Sequence, residues 1–353
     1  MPDRMYLGTV LDQNNEQFKA IVSVSTTYKS LNEPEGTSHG EVRDIALEGE
    51  YLYCSDGAYL EKRLKNTLAL VTESAYMPAT PTSIKVGANG IFTGSFFGDY
   101  KTRKFDKNTL ALLATSENIG SVYAPLLIDD VDNVLYVCNN SGVIYKLRQS
   151  DLVSLGYFSN GYGATIRSTA QDASYIYVGG DDPSYVGGYV KRFNKLNMSQ
   201  APIQSPALSN GAIQVMAMDD AHIYVWNSSS YKLYKLAKTD LSLVLESTST
   251  FSTVKSMFVD NDYLYIGGWG DNGLKMLNKS TLAIIHQSID MSYCYGVCAD
   301  DTYIYSGSDT GSKRLHKILK TPPQYYNGNN FVSAKLCYTV DAIYQITGYR
   351  RVE

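Results

Sequence analysis

The hydrophobic pattern of this chain is a unit of four short apolar runs that recurs along almost its whole length. In residues 254–288 the runs read VKSMFVD, YLYIGG, GLKMLNKS and TLAIIHQS, with turn residues between them. The second run carries an aromatic–aliphatic–aromatic triplet or a close variant. The triplets are 39 to 47 residues apart and end at Tyr53, Phe92, Tyr136, Tyr177, Tyr224, Tyr265, Tyr305 and Tyr344. Four strands per unit with this period predict a β-propeller.

Each run predicts one strand, called A, B, C or D in chain order. Strand A ends at an Asp- or Asn-rich turn, and the triplet of strand B is apolar enough to be packed on both faces. Strand C alternates, as in residues 231–236, which predicts one packed face and one face in solvent. A turn of the form Lys-x-Thr-Leu or Lys-x-Asp-Leu then leads to strand D. No stretch keeps apolar residues at helical spacing over ten residues, so we predict an all-β fold of four-stranded antiparallel blades.

The two ends of the chain set the predicted blade count. Residues 4–24 resemble strands C and D with no A or B before them, and residues 332–347 resemble strands A and B. We therefore expect residues 1–25 and 332–353 to form one composite blade, in which pairing of the N- and C-terminal strands closes the ring. This gives eight blades in a single domain of residues 1–353. Seven blades with a divergent C-terminal tail is the alternative.

One face of the predicted propeller carries the longest connections, which are the D–A and B–C loops. Long loops on a rigid scaffold are where binding residues usually lie. Exposed Tyr and Trp also offer rigid amphipathic contact area for a protein or a sugar ring. The candidate binding residues on this face are Tyr76, Phe96, Phe97, Tyr100, Tyr123, Tyr162, Tyr185, Trp269, Tyr325 and Tyr326. The alternative is that these aromatic side chains cover the ends of the blades.

The opposite face has a charge pattern, with acidic A–B turns near the axis and basic C–D turns further out. The acidic residues are Glu48, Glu50, Asp129, Asp130, Asp132, Asp172, Asp219, Asp220, Asp260, Asp262, Asp300, Asp301 and Asp341. The basic residues are Lys65, Lys107, Lys195, Lys238 and Lys279. We expect an inner acidic ring and an outer basic one. They serve either as turn-forming and solubilising residues or as an axial site for a cation or a basic partner.

Composition and charge exclude several classes of partner. The chain is 44% apolar and only 19% charged, with a net charge of −4 and no basic stripe for nucleic acid. No run of 18 apolar residues predicts a membrane span, and the first residues do not read as a secretory signal. Five cysteines are an odd and sparse set that predicts buried thiols rather than disulfides. Their usage fits a reducing compartment or a virion assembled in one.

Few residues suggest chemistry. The four histidines lack metal-ligand spacing, and neither a Gly-x-Ser-x-Gly elbow nor a phosphate-binding glycine loop is present. We therefore predict no metal site, no cofactor and no assigned catalytic residue. Strand A does carry polar residues that would face the axis, more than a structural channel needs. These axial candidates are Lys85, Arg167, Gln214, Lys255 and Lys335.

The repeat resembles the broad YVTN and quinoprotein-like class of β-propellers. The pattern is Tyr-[Ile/Leu]-Tyr-Val-Gly-Gly, a short turn, a strand ending in Lys-Leu and then Asn-Lys-x-Thr-Leu, matched best at residues 175–180 and 263–282. The resemblance covers nearly the whole chain at the level of the repeat, and it implies a propeller fold. Quinone-dependent members would need tryptophan docking strands and a calcium-centred site. With only Trp226 and Trp269 present, one tryptophan per blade is excluded.

Two functional hypotheses remain open at this point. The first is a non-catalytic propeller that binds a protein or a glycan through its loop face, in a setting such as a viral, phage or cell-surface assembly. The second is an enzyme with an axial site, such as a lactonase, lyase or hydrolase. An inward cluster of the axial candidates with a carboxylate would favour the enzyme. A channel lined by small or apolar groups would favour binding.

Overall fold

The computed structural model describes the chain at residues 4–11, 17–24, 39–96, 98–122, 125–159, 165–180, 187–270, 273–288, 293–308, 315–320 and 344–351. Thirty strands lie within these ranges. Three of them, β1 (Arg4–Leu11), β2 (Gln17–Val24) and β30 (Tyr344–Arg351), form a sheet of their own. All the other strands belong to antiparallel sheets that follow the repeat.

The strands of the repeat fall into four sets according to their order in each blade. Strands A, next to the axis, are β3 (Ile45–Glu48), β7 (Pro81–Gly87), β11 (Leu127–Asp129), β15 (Ile166–Gln171), β19 (Ile213–Met218), β23 (Val254–Val259) and β27 (Gly296–Ala299). Strands B are β4 (Tyr51–Asp56), β8 (Gly90–Ser95), β12 (Val134–Cys138), β16 (Tyr175–Gly180), β20 (His222–Asn227), β24 (Tyr263–Gly268) and β28 (Tyr303–Gly307). Strands C are β5 (Tyr59–Leu64), β9 (Arg103–Phe105), β13 (Val143–Arg148), β17 (Val190–Asn194), β21 (Lys232–Ala237), β25 (Leu274–Asn278) and β29 (Leu315–Leu319). Strands D are β6 (Leu70–Glu73), β10 (Leu112–Thr115), β14 (Ser154–Ser159), β18 (Ile203–Gln204), β22 (Leu243–Glu246) and β26 (Ile284–Gln287).

The structure has seven blades, so the preference for eight is wrong. Six sheets contain all four strands, and blade 7 shows strands A to C among the described residues. The miscount arose at the ends of the chain. The terminal strands have the apolar alternation of blade strands, but β2 pairs with β1 and β30 in a separate sheet. Residues 332–343, which were expected to supply a strand A, lie outside the described residues.

The ring closes between blade 7 and blade 1, and this finding overturns the predicted closure through the terminal strands. The backbone N–H of Val42, just before β3, donates to the carbonyl of Ser308 at 3.1 Å. The Lys317 ammonium donates to the Asn66 carbonyl at 2.8 Å. Buried side chains of both blades, including Ile45 and Leu315, share one apolar cluster. The same kinds of contact join other neighbouring blades, so this junction completes the ring.

Strand C is buried on both faces, contrary to the prediction of one wet face. In four blades a Lys or Arg of strand C lies between blades, where its aliphatic stem packs and its charged end reaches the C–D turn of the next blade. The Lys62 ammonium donates to the Lys107 carbonyl at 3.0 Å, and that of Lys235 donates to the Lys279 carbonyl at 3.1 Å. A polar residue in an alternating pattern therefore marks a blade junction here. The exposed surface belongs to strand D, where paired apolar residues such as Leu112 are about half exposed.

The C–D turn ends in a buried leucine with a left-handed backbone. Five blades share this feature, with φ between 54° and 62° and at most 1% exposure, at Leu68, Leu110, Leu152, Leu241 and Leu282. A leucine rarely adopts this region, and burial of its side chain offsets the local cost. The Lys-x-Thr-Leu motif seen in the sequence is therefore a turn anchored by its last residue.

Candidate ligand site in the axial channel

A cavity of about 630 Å³ lies on the axis of the ring. Its lining includes residues of strand A, or of the segment just before it, from all seven blades. The axial candidates Lys85, Arg167, Gln214 and Lys255 all lie on this lining. The fifth candidate, Lys335, is outside the described residues.

A β-bulge at the start of strand A turns one residue per blade toward the cavity. In four blades the pairing of strands A and B skips the second residue of strand A, which is Thr82, Arg167, Gln214 or Lys255. A bulged residue is left out of the ladder and its side chain is re-aimed. All four of these residues line the cavity.

The equivalent residues of two further blades are Arg43 and Tyr295, which also line the cavity. The register fixes this equivalence. In each blade, one residue of strand A pairs with the last residue of the strand B triplet, as Ala170 does with Tyr177. Arg43 and Tyr295 lie three positions before that residue in their own blades, as Arg167 does before Ala170. In blade 3 the equivalent is Ala124, which is outside the described residues. We call the six described positions the mouth ring: Arg43, Thr82, Arg167, Gln214, Lys255 and Tyr295.

The mouth ring concentrates positive charge. Arg43, Arg167 and Lys255 are on the same level of the ring, and none of its six residues is acidic. Desolvation, and then the charges of Arg167 and Arg43, lower the pKa of Lys255 below its ordinary value. Arg43 has one acidic partner, since its guanidinium forms an ion pair with Glu41 outside the ring. A fourth cation, Lys85, lies three residues further along its strand and so deeper in the cavity.

Asp44 is the one carboxyl group among the residues that line the cavity. One of its oxygens accepts the backbone N–H of Ile84 at 2.7 Å and the other accepts that of Ile45 at 2.9 Å. The first bond joins blade 1 to blade 2. Ser83, at the same position of blade 2, accepts the Leu126 N–H of blade 3 at 2.9 Å. Asp44 therefore belongs to a blade-linking position, and burial raises its pKa although Lys85 and both N–H groups oppose this.

One predicted loop aromatic, Trp269, reaches the mouth ring. The Lys255 ammonium lies 4.2 Å from the centre of its indole ring, and the ring of Tyr295 is 5.8 Å away at 85°. Arg43 in turn lies 5.4 Å from the Tyr295 ring centre. The four side chains form a continuous set of cation–aromatic and edge-to-face contacts, and Trp269 remains 38% exposed. This set, Arg43–Tyr295–Trp269–Lys255, is called the cation–aromatic arc.

Three further predicted loop aromatics are among the described residues, and none of them lines the cavity. Tyr76 is 67% exposed and packs edge-on against Tyr59 at 5.8 Å. Tyr100 is 37% exposed, and Phe96 directly follows β8. The remaining six lie outside the described residues: Phe97, Tyr123, Tyr162, Tyr185, Tyr325 and Tyr326.

Sequence reasoning did not single out Thr82, which lies within β7, and it missed two further members of the mouth ring, Arg43 and Tyr295. Each lies just before the apolar run that marks its strand A, so neither was counted as a strand residue. The signal that could have found them is register. Counting back from the residue opposite the triplet brings Arg43 and Tyr295 into line with Arg167 and Lys255.

On the opposite face the acidic and basic turns pair with each other instead of forming two separate rings. The lysine of each C–D turn meets the acidic residue of the A–B turn in the preceding blade. Six junctions have this pair: Glu48–Lys107, Asp129–Lys195, Asp172–Lys238, Asp219–Lys279, Asp260–Lys320 and Asp300–Lys65. In four blades the same aspartate also accepts the hydroxyl of the last triplet tyrosine, as Asp219 does from Tyr224 at 3.0 Å. These acidic residues are thus engaged at the blade junctions.

The described residues contain neither a clustered metal site nor a membrane-spanning helix. They hold no group of three or more His, Cys, Asp or Glu side chains that could bind a metal ion. They also contain no helix long and apolar enough to cross a membrane. The four described cysteines, Cys54, Cys138, Cys294 and Cys298, are free thiols buried in the fold.

Comparison with known proteins identifies the fold alone. No protein-family model matches the chain, and no curated protein matches its sequence. Among solved structures, 1563 chains match. One is the computationally designed Ika8 protein, with a TM-score of 0.62, 13% identity, and coverage of 90% of this chain and 96% of that one. The chain is a β-propeller, a fold that is compatible with a binding scaffold and that hosts many functions.

Proposed function

We propose that this protein is a non-catalytic β-propeller that binds an anionic ligand at its mouth ring, on the face that carries the D–A and B–C loops. The observation that carries the proposal is the arrangement of Arg43, Arg167 and Lys255. Three cations share one level of a cavity, none of the six ring residues is acidic, and the chain as a whole has a net charge of −4. A cluster of like charge in a protein whose net charge is slightly negative needs a physical reason, and a bound anion supplies one.

The chemistry of the ring suits an anion. Arg side chains bind carboxylate, phosphate or sulfate through paired N–H donors, and a Lys ammonium adds a point charge. Desolvation and the two neighbouring guanidinium groups disfavour the charged form of Lys255. A bound anion would relieve that penalty, because an opposite charge nearby favours the charged form. The free protein therefore holds the Lys255 ammonium at a cost that ligand binding offsets.

The enzyme hypothesis is the weaker of the two on the same residues. The cluster does include a carboxylate, but both oxygens of Asp44 accept backbone N–H groups and one of them links two blades. The thiol on the lining, Cys298, is buried, and its pKa is raised well above the ordinary value by desolvation first and then by Asp44. General acid–base or nucleophilic catalysis needs a group that can reach the substrate. Both candidate groups serve the packing of the wall.

A direct test uses the two tryptophans. Trp226 is 2% exposed and Trp269 is 38% exposed, so collisional quenching of fluorescence reports mainly on the mouth. We expect the anion iodide to quench several-fold more efficiently than the cation caesium. Lys255→Gln and Arg167→Gln should each reduce that preference. Arg148→Gln is the matched control, because Arg148 is a half-exposed arginine away from the cavity, paired with Asp151.

Equal quenching by iodide and caesium would contradict the proposal, as would an unchanged preference in both ring variants.

The partner is a protein or a glycan that presents an acidic group to the loop face. A viral or surface assembly as the setting and a reducing compartment remain predictions from the sequence. The resemblance to the YVTN and quinoprotein-like class also stays a prediction, and it contributes only the fold.

A further inference from the structure

We infer that the ligand of the mouth ring is an acidic sugar, meaning a sugar ring that carries a carboxylate. The inference rests on the proposed function and names its ligand class. Three features of the mouth carry it: the charge lies directly beside an aromatic surface, neutral polar groups are interleaved with the cations, and the site is an enclosed ring rather than a groove.

The cation–aromatic arc places positive charge and apolar surface within the width of one sugar ring. Lys255 lies 4.2 Å from the Trp269 ring centre, and Tyr295 lies 5.8 Å beyond it on the way to Arg43. A carboxylated sugar presents the complementary pair, an acidic group beside a face of C–H bonds. A simple inorganic anion or acetate would use the cations and make no contact with the exposed part of the indole.

Neutral hydrogen-bonding groups complete the polar lining. Gln214 occupies the ring position between Arg167 and Lys255, because its blade lies between theirs. Its amide offers two donors and an acceptor, which matches hydroxyl groups rather than charges. Ser168 and Thr82 also line the cavity, although both hydroxyls already bond to backbone carbonyls. The mouth thus has the mixture of charged and neutral partners that a polyhydroxylated anion requires.

The shape of the site favours a compact ring over an extended acidic peptide. A peptide usually binds along a continuous strand edge or groove that satisfies its backbone. The mouth ring instead takes one residue from each of several strands around an axis. Its cavity of about 630 Å³ lies in the range of small-molecule pockets. Three residues deeper, the positions around the ring are mostly apolar, with Ala46, Phe258 and Cys298 next to the single cation Lys85.

The experiment compares six probes by titration calorimetry at low salt with the full chain. Glucuronate and N-acetylneuraminate are carboxylated sugars, glucose is the neutral sugar, and acetate is the carboxylate without a ring. Glucose 6-sulfate tests another anionic sugar, and hexaglutamate tests an acidic peptide. We expect at least one carboxylated sugar to bind at least tenfold more tightly than each of the other four probes. Lys255→Gln and Trp269→Ala should each weaken it at least tenfold, and Trp269→Phe should restore part of the loss.

The outcomes separate this inference from the proposed function. If acetate, glucose 6-sulfate or hexaglutamate binds as tightly as the carboxylated sugars, the sugar assignment is wrong while anion binding stands. If glucose binds equally well, the charge is not used and both fail. If none of the six probes binds, the sugar inference is overturned, and the iodide measurement decides the proposed function alone. Circular dichroism of each variant, with Arg148→Gln as the unaffected control, shows that the loss is not unfolding.

Discussion

On the face formed by the A–B and C–D turns, six C–D turns carry a lysine, and each of these lysines pairs with an acidic residue of the preceding blade. On the loop face, three cations lie at one level of the mouth ring with no acidic residue among its six positions. At Asp219, for example, the Lys279 ammonium is 2.8 Å away, whereas Lys255 is next to an indole ring and senses two other cations. One face pairs opposite charges across the blade junctions, and the other brings like charges together around the axis.

The comparison shows how a repeat separates its frame from its ligand site. Six of the seven blades have an acidic residue at the end of strand A or directly after it, which is Glu48 in blade 1 and aspartate in the others. The residue at the mouth-ring position differs from blade to blade: Arg, Thr, Ala, Arg, Gln, Lys and Tyr. A position that repeats serves the junction, which occurs in every blade. A position that varies lines the axial cavity, where each blade contributes a different side chain to one shared site.

The exception on the turn face supports this interpretation. Between blades 2 and 3 both members of the ion pair are missing, because Gly87 stands at the acidic position and Gln149 at the basic one. Gln149 turns back to the carbonyls of its own blade. The junction uses an amide pair instead, with Asn89 donating to Asn133 at 2.9 Å. The two halves of the pair are replaced together, as expected if neither charge is useful alone.

Acid should break the turn face first, and this is the largest effect we expect. The folded-state pKa is lowered at five junction aspartates: Asp129, Asp172, Asp219, Asp260 and Asp300. Desolvation alone would raise the pKa of each carboxyl. The lysine, the backbone N–H groups and, in most of the five, the tyrosine hydroxyl outweigh that effect. A carboxyl with a lowered folded pKa stabilises the fold above its unfolded pKa of about 3.9 and loses that contribution as pH falls through its folded pKa. The melting temperature should drop by roughly 10 °C or more between pH 7 and pH 3.

Two opposing groups test the sign of that prediction. Burial raises the pKa of Asp44 and of Glu61, so protonation of these two relieves a penalty as pH falls. Five lowered carboxyls outnumber them, and the net slope should be toward instability in acid. A melting temperature that stays flat or rises between pH 5 and pH 3 would show that the ion pairs contribute nothing to the ring.

Replacing a single junction aspartate should have the next largest effect. Asp219 accepts the Lys279 ammonium, the Tyr224 hydroxyl and the backbone N–H groups of Ala221 and His222. Asp219→Ala should lower the free energy of unfolding by about 2 to 4 kcal/mol, because it leaves several partly buried donors without an acceptor. Chemical denaturation measures it. The matched control is Asp220→Ala on the exposed neighbour, which should change stability by about 0.5 kcal/mol or less; similar losses in both would deny Asp219 its role.

Much of this architecture could be predicted from the sequence, because local patterns carry it. The period, the four-strand unit and the burial of strand B follow from alternation and turn residues within about forty residues. The ion pairs could not be found in that way. Asp129 and Lys195 are 66 positions apart, and their contact depends on the offset between neighbouring blades. The predicted rings contained all six acidic partners and five of the six lysines, but they lacked Lys320 and the offset that brings each pair together.

The blade count and part of the mouth ring were missed because the sequence shows strands without showing their pairing. A strand pattern near Phe18 or Tyr344 says that a strand forms, but it does not say which sheet the strand joins. At the mouth, Arg167 and Lys255 were expected to face the axis, and they do line the cavity, but the bulge that aims them there is not visible in the sequence. Arg43 was missed because the apolar run starts only after it.

On the loop face the comparison predicts a gain in stability when a charge is removed. The lowered pKa of Lys255 means that the folded state disfavours its charged form at neutral pH. Lys255→Met should therefore raise the free energy of unfolding by up to about 1 kcal/mol while weakening anion binding, a trade-off typical of binding sites. Denaturation with and without 0.5 M salt measures it, and the gain should shrink in salt. A loss of stability would mean that Lys255 holds the wall together rather than waiting for a ligand.

The smallest effect should come from the most exposed pair on the turn face, Glu48 with Lys107. The Glu48 side chain is 41% exposed, against 19% for Asp219. Water screens such a pair, so Glu48→Gln should cost about 0.5 kcal/mol or less by chemical denaturation. Lys107 would keep a second role, because its carbonyl still accepts the Lys62 ammonium at 3.0 Å. If Glu48→Gln lowered stability as much as Asp219→Ala, the exposure of an ion pair would not determine how much it stabilises its junction. The stability of the ring would then depend on the six ion pairs together rather than on the buried hydrogen bonds around each aspartate.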